Sequence, residues 1–369
     1  MIKSRGKTPL AGQLHDRIER DGPVSVADWM HACLADPKHG YYMTRDPLGR
    51  AGDFTTSPEI SQMFGELLGL WAAVVWQQIG TPATVKLVEL GPGRGTLMAD
   101  ALRAAAGVPD FLTAAEVHMV ETSPVLRTAQ QKMLEDAAVP CTWHDKVTGI
   151  PAGPMIVFAN EFLDALPVRQ LVRRDGAWYE RMVGYGDDGF VFEIGSPVDN
   201  IPVPDGLEDA PDGAVFEVSP AVEHVTQSLA ARIATDGGAA LLIDYGHDSP
   251  GLGETLQAVK GHSYADPLTT PGECDLTAHV DFAMVAAAAA SAGARVWGPL
   301  GQGELLERLG IGARAAQLLA GADKKQAENI ARARHRLTAD DGMGRLFRAI
   351  ALTHPRQPAP PGFETVSWT

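Results

Sequence analysis

The chain has 369 residues, 45% of them hydrophobic, and 31 basic against 46 acidic side chains give it a formal net charge of −15. A chain of this length buries a large core as one elaborated domain or two, and its acidic balance disfavours nonspecific contact with nucleic acid phosphates while suiting a basic substrate. Three cysteines without a C-x-x-C pair, 11 histidines without H-E-x-x-H and no bilayer-length apolar run argue against a disulfide framework, a metal site and membrane insertion.

Residues 1–7 carry a few basic side chains but no apolar stretch, and Asp16, Glu19 and Asp21 follow closely. The expectation is therefore neither a secretory signal nor a transit peptide, and a cytoplasmic protein of bacterial type. Residues 8–80 read as mostly helical: Leu10, Leu14 and Ile18 share one face, and Val26, Trp29, Met30 and Cys33 a second. A glycine- and proline-bearing loop spans 36–57, where Tyr41, Tyr42 and Phe54 are candidates for a lid. Thr56 then caps a helix with Pro58 in its first turn, and that helix buries Ile60, Phe64, Leu67, Leu68 and Trp71.

From residue 84 strand and helix patterns alternate, the mark of a parallel sheet covered on both faces. Strands are expected at 85–90, 116–121, 140–144, 154–159, 239–245, 293–298 and 346–352. A meander-like insert begins near Val168, and a helix-rich segment covers 302–338. The first strand leads into Glu89-Leu90-Gly91-Pro92-Gly93-Arg94-Gly95-Thr96 and then a helix, the context in which a glycine-rich turn binds a ligand. A dinucleotide fingerprint would place its third small residue at Thr96, whereas here the third glycine comes one residue early, at Gly95. Glu89 would repel a pyrophosphate but suits a cofactor with a cationic amino-acid end, such as S-adenosyl-L-methionine. Glu121, ending the second strand, stands where an acid about 20 or more residues beyond the glycine turn accepts ribose hydroxyls. Asp145, after the third strand, is a candidate for the adenine amino group.

Ligands of open parallel sheets bind beyond the carboxyl ends of the strands, at the switch point. The fourth strand ends in Asn160-Glu161-Phe162-Leu163-Asp164-Ala165-Leu166-Pro167, which brings an amide and two carboxylates to the expected position of the transferable methyl. Asn160 would then lie beside the cofactor. His247 and His262 read as ordinary structural histidines. His279, entering a helix after a Gly/Pro-rich loop, is a candidate to line the site.

Gly40-Tyr41-Tyr42, the run from Gly52 to Glu66, the glycine turn, the run from Asn160 to Pro167, and Asp275-Leu276-Thr277-Ala278-His279-Val280-Asp281-Phe282 together resemble the MidA family. Its mitochondrial members assist assembly of respiratory complex I. The resemblance implies an α/β fold: a class I methyltransferase, Rossmann-like, with a seven-stranded, mostly parallel sheet, an N-terminal helical region and inserted segments. It also implies an S-adenosyl-L-methionine-dependent methyltransferase acting on a protein arginine, on a complex I (NADH dehydrogenase) core subunit in the mitochondrial case, and dimethylating it symmetrically. The expected organisation is an N-terminal helical or lid region over 1–82 and a cofactor-binding core over 83–369, with inserts at about 168–215 and 299–340. Catalytic candidates are Glu161, Asp164 and His279; cofactor candidates are Glu89, Gly91, Gly93, Gly95, Glu121, Asp145 and Asn160. No metal is expected. Partners are expected to be a protein substrate and neither nucleic acid nor membrane, with the chain a monomer or homodimer. Two alternatives remain: another acceptor, small molecule or protein, and a noncatalytic assembly factor that retains the fold.

Overall fold

The seven strand candidates become seven strands of one sheet in the computed structural model, which describes residues 8–47, 49, 53, 55–199, 201, 203, 207, 209–366 and 368. They are β1 (Val85–Leu90), β2 (Ala115–Val120), β3 (Cys141–His144), β4 (Met155–Asn160), β5 (Gly238–His247), β6 (Arg295–Gly301) and β7 (Phe347–Thr353). Their order across the sheet is β6-β7-β5-β4-β1-β2-β3, and a short eighth strand, Val280–Asp281, pairs with the end of β5. β1 to β5 run parallel, while β7 lies antiparallel between β5 and β6. Every residue of β1 and β4 is buried, as expected of central strands covered on both faces. The chain leaves β1 toward β2 on one side and returns through β4 on the other. The switch point therefore lies at the carboxyl ends of β1 and β4.

Three helices position the loops around that point: α1 (Gln62–Gln78), α2 (Thr96–Ala105) and α3 (Pro124–Met133). The helix expected to run on from Thr56 is broken. Ser57–Ile60 forms one short turn, Ser61 is extended at φ −163°, and its side chain accepts the Met63 N–H to start α1 afresh. The α1 face packs against α2 with almost no side chain between them, because a Cβ at Gly65 would lie 2.7 Å from Asp100 Cβ and one at Gly69 2.3 Å from the Ala101 carbonyl oxygen. Phe64, Leu68 and Trp71 of α1 join Leu87, Phe158 and Leu241 of the sheet in the main core.

The chain forms two compact units, and they do not divide at residue 82 as expected. One unit takes 55–163, 224–248 and 280–369, so it contains both α1 and the helical insert near 299–340. The other gathers 1–54, 164–223 and 249–279. The reason lies in long-range pairing. Val24 and Ser25 pair with Val183 and Met182 of the strand Ala177–Gly186, and Trp29 Nε1 donates to the Pro267 carbonyl, so the first helices share a core with segments far along the chain. That unit holds a five-stranded antiparallel sheet and a three-stranded one built from Gln257–Lys260, Ser263–Ala265 and Asp275–Thr277. Gly52 and Phe54 lie outside the described residues. Tyr41, expected in a lid, is instead fully buried in this core. Among the described residues no helix is long and apolar enough to cross a membrane.

Candidate active site

In the turn after β1 every second residue has left-handed backbone. Gly91, Gly93 and Gly95 have φ of +58°, +54° and +84°, a region that L side chains rarely adopt. Gly91 donates its N–H to the Val120 carbonyl at 3.1 Å, tying the turn to β2, and a Cβ there would come within 2.8 Å of Phe162 Cδ2. Gly95 forms the N-cap of α2 and offers no side chain to it. The next residue, Thr96, donates its hydroxyl to Glu59 Oε1 at 2.5 Å.

Glu89 and Asn160 lie on one face of the sheet, since Glu89 is opposite Phe158 and Asn160 follows two residues on. Both side chains are buried, and among the described residues Glu89 Oε2 and Asn160 Oδ1 have no hydrogen-bond partner. Burial, and secondarily the nearby Glu121, raises the Glu89 carboxyl well above its ordinary range. Glu121 is also buried and raised by desolvation, but its Oε1 accepts the Ser123 N–H at 2.7 Å and its Oε2 an N–H of Gln130 at 3.2 Å. Those donors favour the charged form against burial.

Asp145 sits differently. Its side chain is 77% exposed and pairs with Arg127 at 2.6 Å, and Arg127 also donates to the Glu121 carbonyl. Glu161 has φ +49°, uncommon for a residue with a Cβ. Its Oε1 accepts the Ser57 N–H at 2.8 Å and Asn160 Nδ2 at 3.1 Å, so the carboxylate holds the start of Ser57–Ile60 against the end of β4. The fully buried Asp244 of β5 braces the same loop by accepting the N–H groups of Phe162 at 3.1 Å and Leu163 at 2.8 Å.

Asp164 and His279 belong to the other unit, whose boundary falls between Leu163 and Asp164. Asp164 is buried, and its carbonyl accepts the Ala278 N–H at 3.0 Å. Its charge, after burial itself, helps push the neighbouring Asp275 carboxyl up to about 8. Tyr42 donates its hydroxyl to Asp275 Oδ1 at 2.8 Å, and Tyr41 donates to Asp53 Oδ2 at 2.6 Å. The His279 N–H is held by the Thr255 hydroxyl at 2.9 Å, and its ring is partly exposed.

A family model described as "Putative S-adenosyl-L-methionine-dependent methyltransferase" matches residues 67–300. The chain belongs to that family. Among curated proteins it is 39% identical to the Drosophila melanogaster protein named "Protein arginine methyltransferase NDUFAF7 homolog, mitochondrial", over 94% of this chain and 85% of that one. The Danio rerio protein named "Protein arginine methyltransferase NDUFAF7, mitochondrial" is 35% identical over 92% of this chain and 85% of its own length. Among solved structures, a Burkholderia thailandensis protein crystallised with S-adenosyl-homocysteine is 29% identical, with a TM-score of 0.84 covering 98% of this chain and 95% of that one.

The methyltransferase site fits the cofactor that its family requires. The two buried unpartnered oxygens at the ends of β1 and β4, on Glu89 and Asn160, are acceptors suited to a donor such as an ammonium. Gln130 and Asp244 went unnoticed in the sequence. Asp244 follows the apolar run of β5, which is a usable sign in a parallel sheet, whereas Gln130 lies mid-helix and carries no such mark.

Proposed function

We propose that this methyltransferase methylates an arginine side chain of a protein, with a complex I (NADH dehydrogenase) core subunit as the acceptor that the family resemblance implies. The observation that carries the reading is the 39% identity, along 94% of the chain, to a protein named an arginine methyltransferase. When bound, S-adenosyl-L-methionine supplies a methyl group on a sulfonium and leaves as a neutral thioether. Glu89 and Asn160 receive the cofactor's ammonium, Gly91, Gly93 and Gly95 give its amino-acid end close approach to the backbone, Glu121 accepts the ribose hydroxyls, and Asp145 lies toward the adenine.

A guanidinium is protonated at any working pH and poorly nucleophilic. Glu161 is assigned to bind it and orient one nitrogen, and Asp164 is the second carboxylate that the family resemblance implies for this substrate. As that N–C bond forms and the S–C bond breaks, one N–H proton leaves toward a carboxylate and restores a planar, delocalised cation. His279 is a further candidate that the family resemblance implies. The positive φ of Glu161 supports a functional role, since such strain persists where surrounding structure imposes it. We place the protein in a bacterial-type cytoplasm, whereas the curated relatives are named mitochondrial; fractionation of the native host separates the two.

The test is transfer of labelled methyl groups into a host lysate, with the modified residue identified by mass spectrometry. Label on arginine is expected, and a fall of at least about a hundredfold in Glu161→Gln and Asp164→Asn. Label on another residue type, or undiminished transfer by both variants, would overturn the assignment. Folded protein that gives no heat on titration with S-adenosyl-L-methionine would point instead to a binding module.

A further inference from the structure

Gln130 stands on α3 with its side chain fully buried, and its one planar amide reaches three separate parts of the sheet's edge. Nε2 donates to the Gly93 carbonyl at 2.7 Å and to Glu121 Oε2 at 3.2 Å, while Oε1 accepts the Trp143 indole N–H at 2.9 Å. Only this orientation of the amide works. Turned over, it would set oxygen against the Gly93 carbonyl and the Glu121 carboxylate, and NH2 against the indole N–H. Both N–H donors and the carbonyl oxygen are engaged, so removing the amide leaves buried polar atoms unsatisfied. The residue also floors the turn, because a Cβ at Gly95 would lie 3.5 Å from the Gln130 Cα.

Two consequences follow for the turn and the acid. The Gly93 carbonyl shares a plane with the Arg94 N–H, which points from the opposite edge of that plane. Fixing one aims the other. Glu121 has its two oxygens held by different donors, the Ser123 N–H and the Gln130 amide, so its carboxylate plane is set and its charged form favoured.

We propose that Gln130 is a positioning residue for cofactor binding, coupling the Gly93 peptide of the turn to the Glu121 carboxylate and so setting affinity for S-adenosyl-L-methionine. This rests on the reading that the turn and Glu121 hold that cofactor. Gln130→Glu preserves the shape and makes the hydrogen bond switchable. A protonated carboxyl still has an O–H for the Gly93 carbonyl and an oxygen for the indole, whereas a carboxylate has no donor and faces Glu121.

The experiment is calorimetric titration of full-length protein with S-adenosyl-homocysteine, run beside thermal unfolding. Glu121, Arg127, Asp145, His144 and Arg94 are the ionisable groups on the loops, helix and strand around Gln130 and are common to variant and wild type, so the ratio of variant to wild-type Kd at each pH is the quantity read. For Gln130→Glu this ratio is expected to be roughly tenfold near pH 8 and to fall to about two- or threefold near pH 5.5, since a protonated carboxyl has one O–H to share between the Gly93 carbonyl and Glu121. Gln130→Leu should weaken binding at least about tenfold at both values, and Trp143→Phe, which frees one acceptor, by less. A ratio independent of pH, or a Gln130→Leu protein with lowered Tm and unchanged Kd, would mean a packing role alone and overturn the proposal. Glu121→Gln with wild-type affinity would instead sink the underlying assignment of Glu121, whatever Gln130 does.

Discussion

Gly91 and Gly95 share a backbone conformation but differ in what surrounds them, which makes them separable by experiment. At Gly91 a methyl group meets both a positive φ and Phe162 Cδ2 at 2.8 Å; at Gly95 it meets only the φ, with the nearest atom 3.5 Å away. Gly91→Ala is therefore expected to cost about 2–4 kcal/mol and Gly95→Ala about 1–2 kcal/mol, read by denaturant unfolding. Equal losses would show that the Phe162 contact yields freely. The turn was legible in the sequence because glycines at fixed spacing between an apolar strand and a helix leave few other meanings. The place of Glu89 was legible too, as a lone acid near the end of an apolar strand. Gln130 was not, because a side chain that satisfies three partners at once has no periodicity, and its partners at Gly93 and Trp143 are near it only in space. The exposed, Arg127-paired state of Asp145 was hidden for the same reason.

At the scale of elements, the seven strands of the main sheet could be read within a few residues, since most are apolar runs and helical patterns separate them. Their directions could not. Nothing in Phe347–Thr353 shows that it runs against its neighbours, because a buried strand looks the same read either way. The α1–α2 contact was also hidden: Gly65 and Gly69 carry no side chain to mark it, yet they let two backbones touch. Gly69→Ala places a methyl group 2.3 Å from a carbonyl oxygen on α2, so the helices must separate. A cost of about 3 kcal/mol is expected, with a fall in Tm of several degrees. Since α2 starts at Gly95, the same variant should also weaken S-adenosyl-homocysteine binding in calorimetry. A stability loss with unchanged affinity would show that the turn does not feel the helix behind it.

Across the whole molecule, the net charge of −15 fits an arginine-bearing acceptor attracted at a distance. The KM for a cationic protein substrate should rise several-fold between about 50 and about 500 mM salt, with kcat changing little. A flat KM would confine recognition to short-range contacts. Stability should depend on pH through Asp275, whose carboxyl moves from an ordinary 3.8 to about 8. In that interval the folded chain holds a proton that the unfolded chain has released, so this group's contribution is complete below 3.8 and is lost as pH rises to about 8. Asp275→Asn can still accept the Tyr42 hydroxyl and carries no such loss. Its Tm relative to wild type should climb by roughly 5 °C from acid to mildly alkaline pH; a constant difference would contradict it. The burial that raises Glu89 bears on turnover. On the proposed assignment its partner is the ammonium, the end of the cofactor that methyl transfer leaves unchanged. Binding there should expel a proton, giving a titration heat that varies with the buffer's own heat of ionisation. The same grip then holds spent and fresh cofactor about equally, so S-adenosyl-homocysteine should compete strongly with its precursor, and sustained methylation would depend on the cell's removal of it.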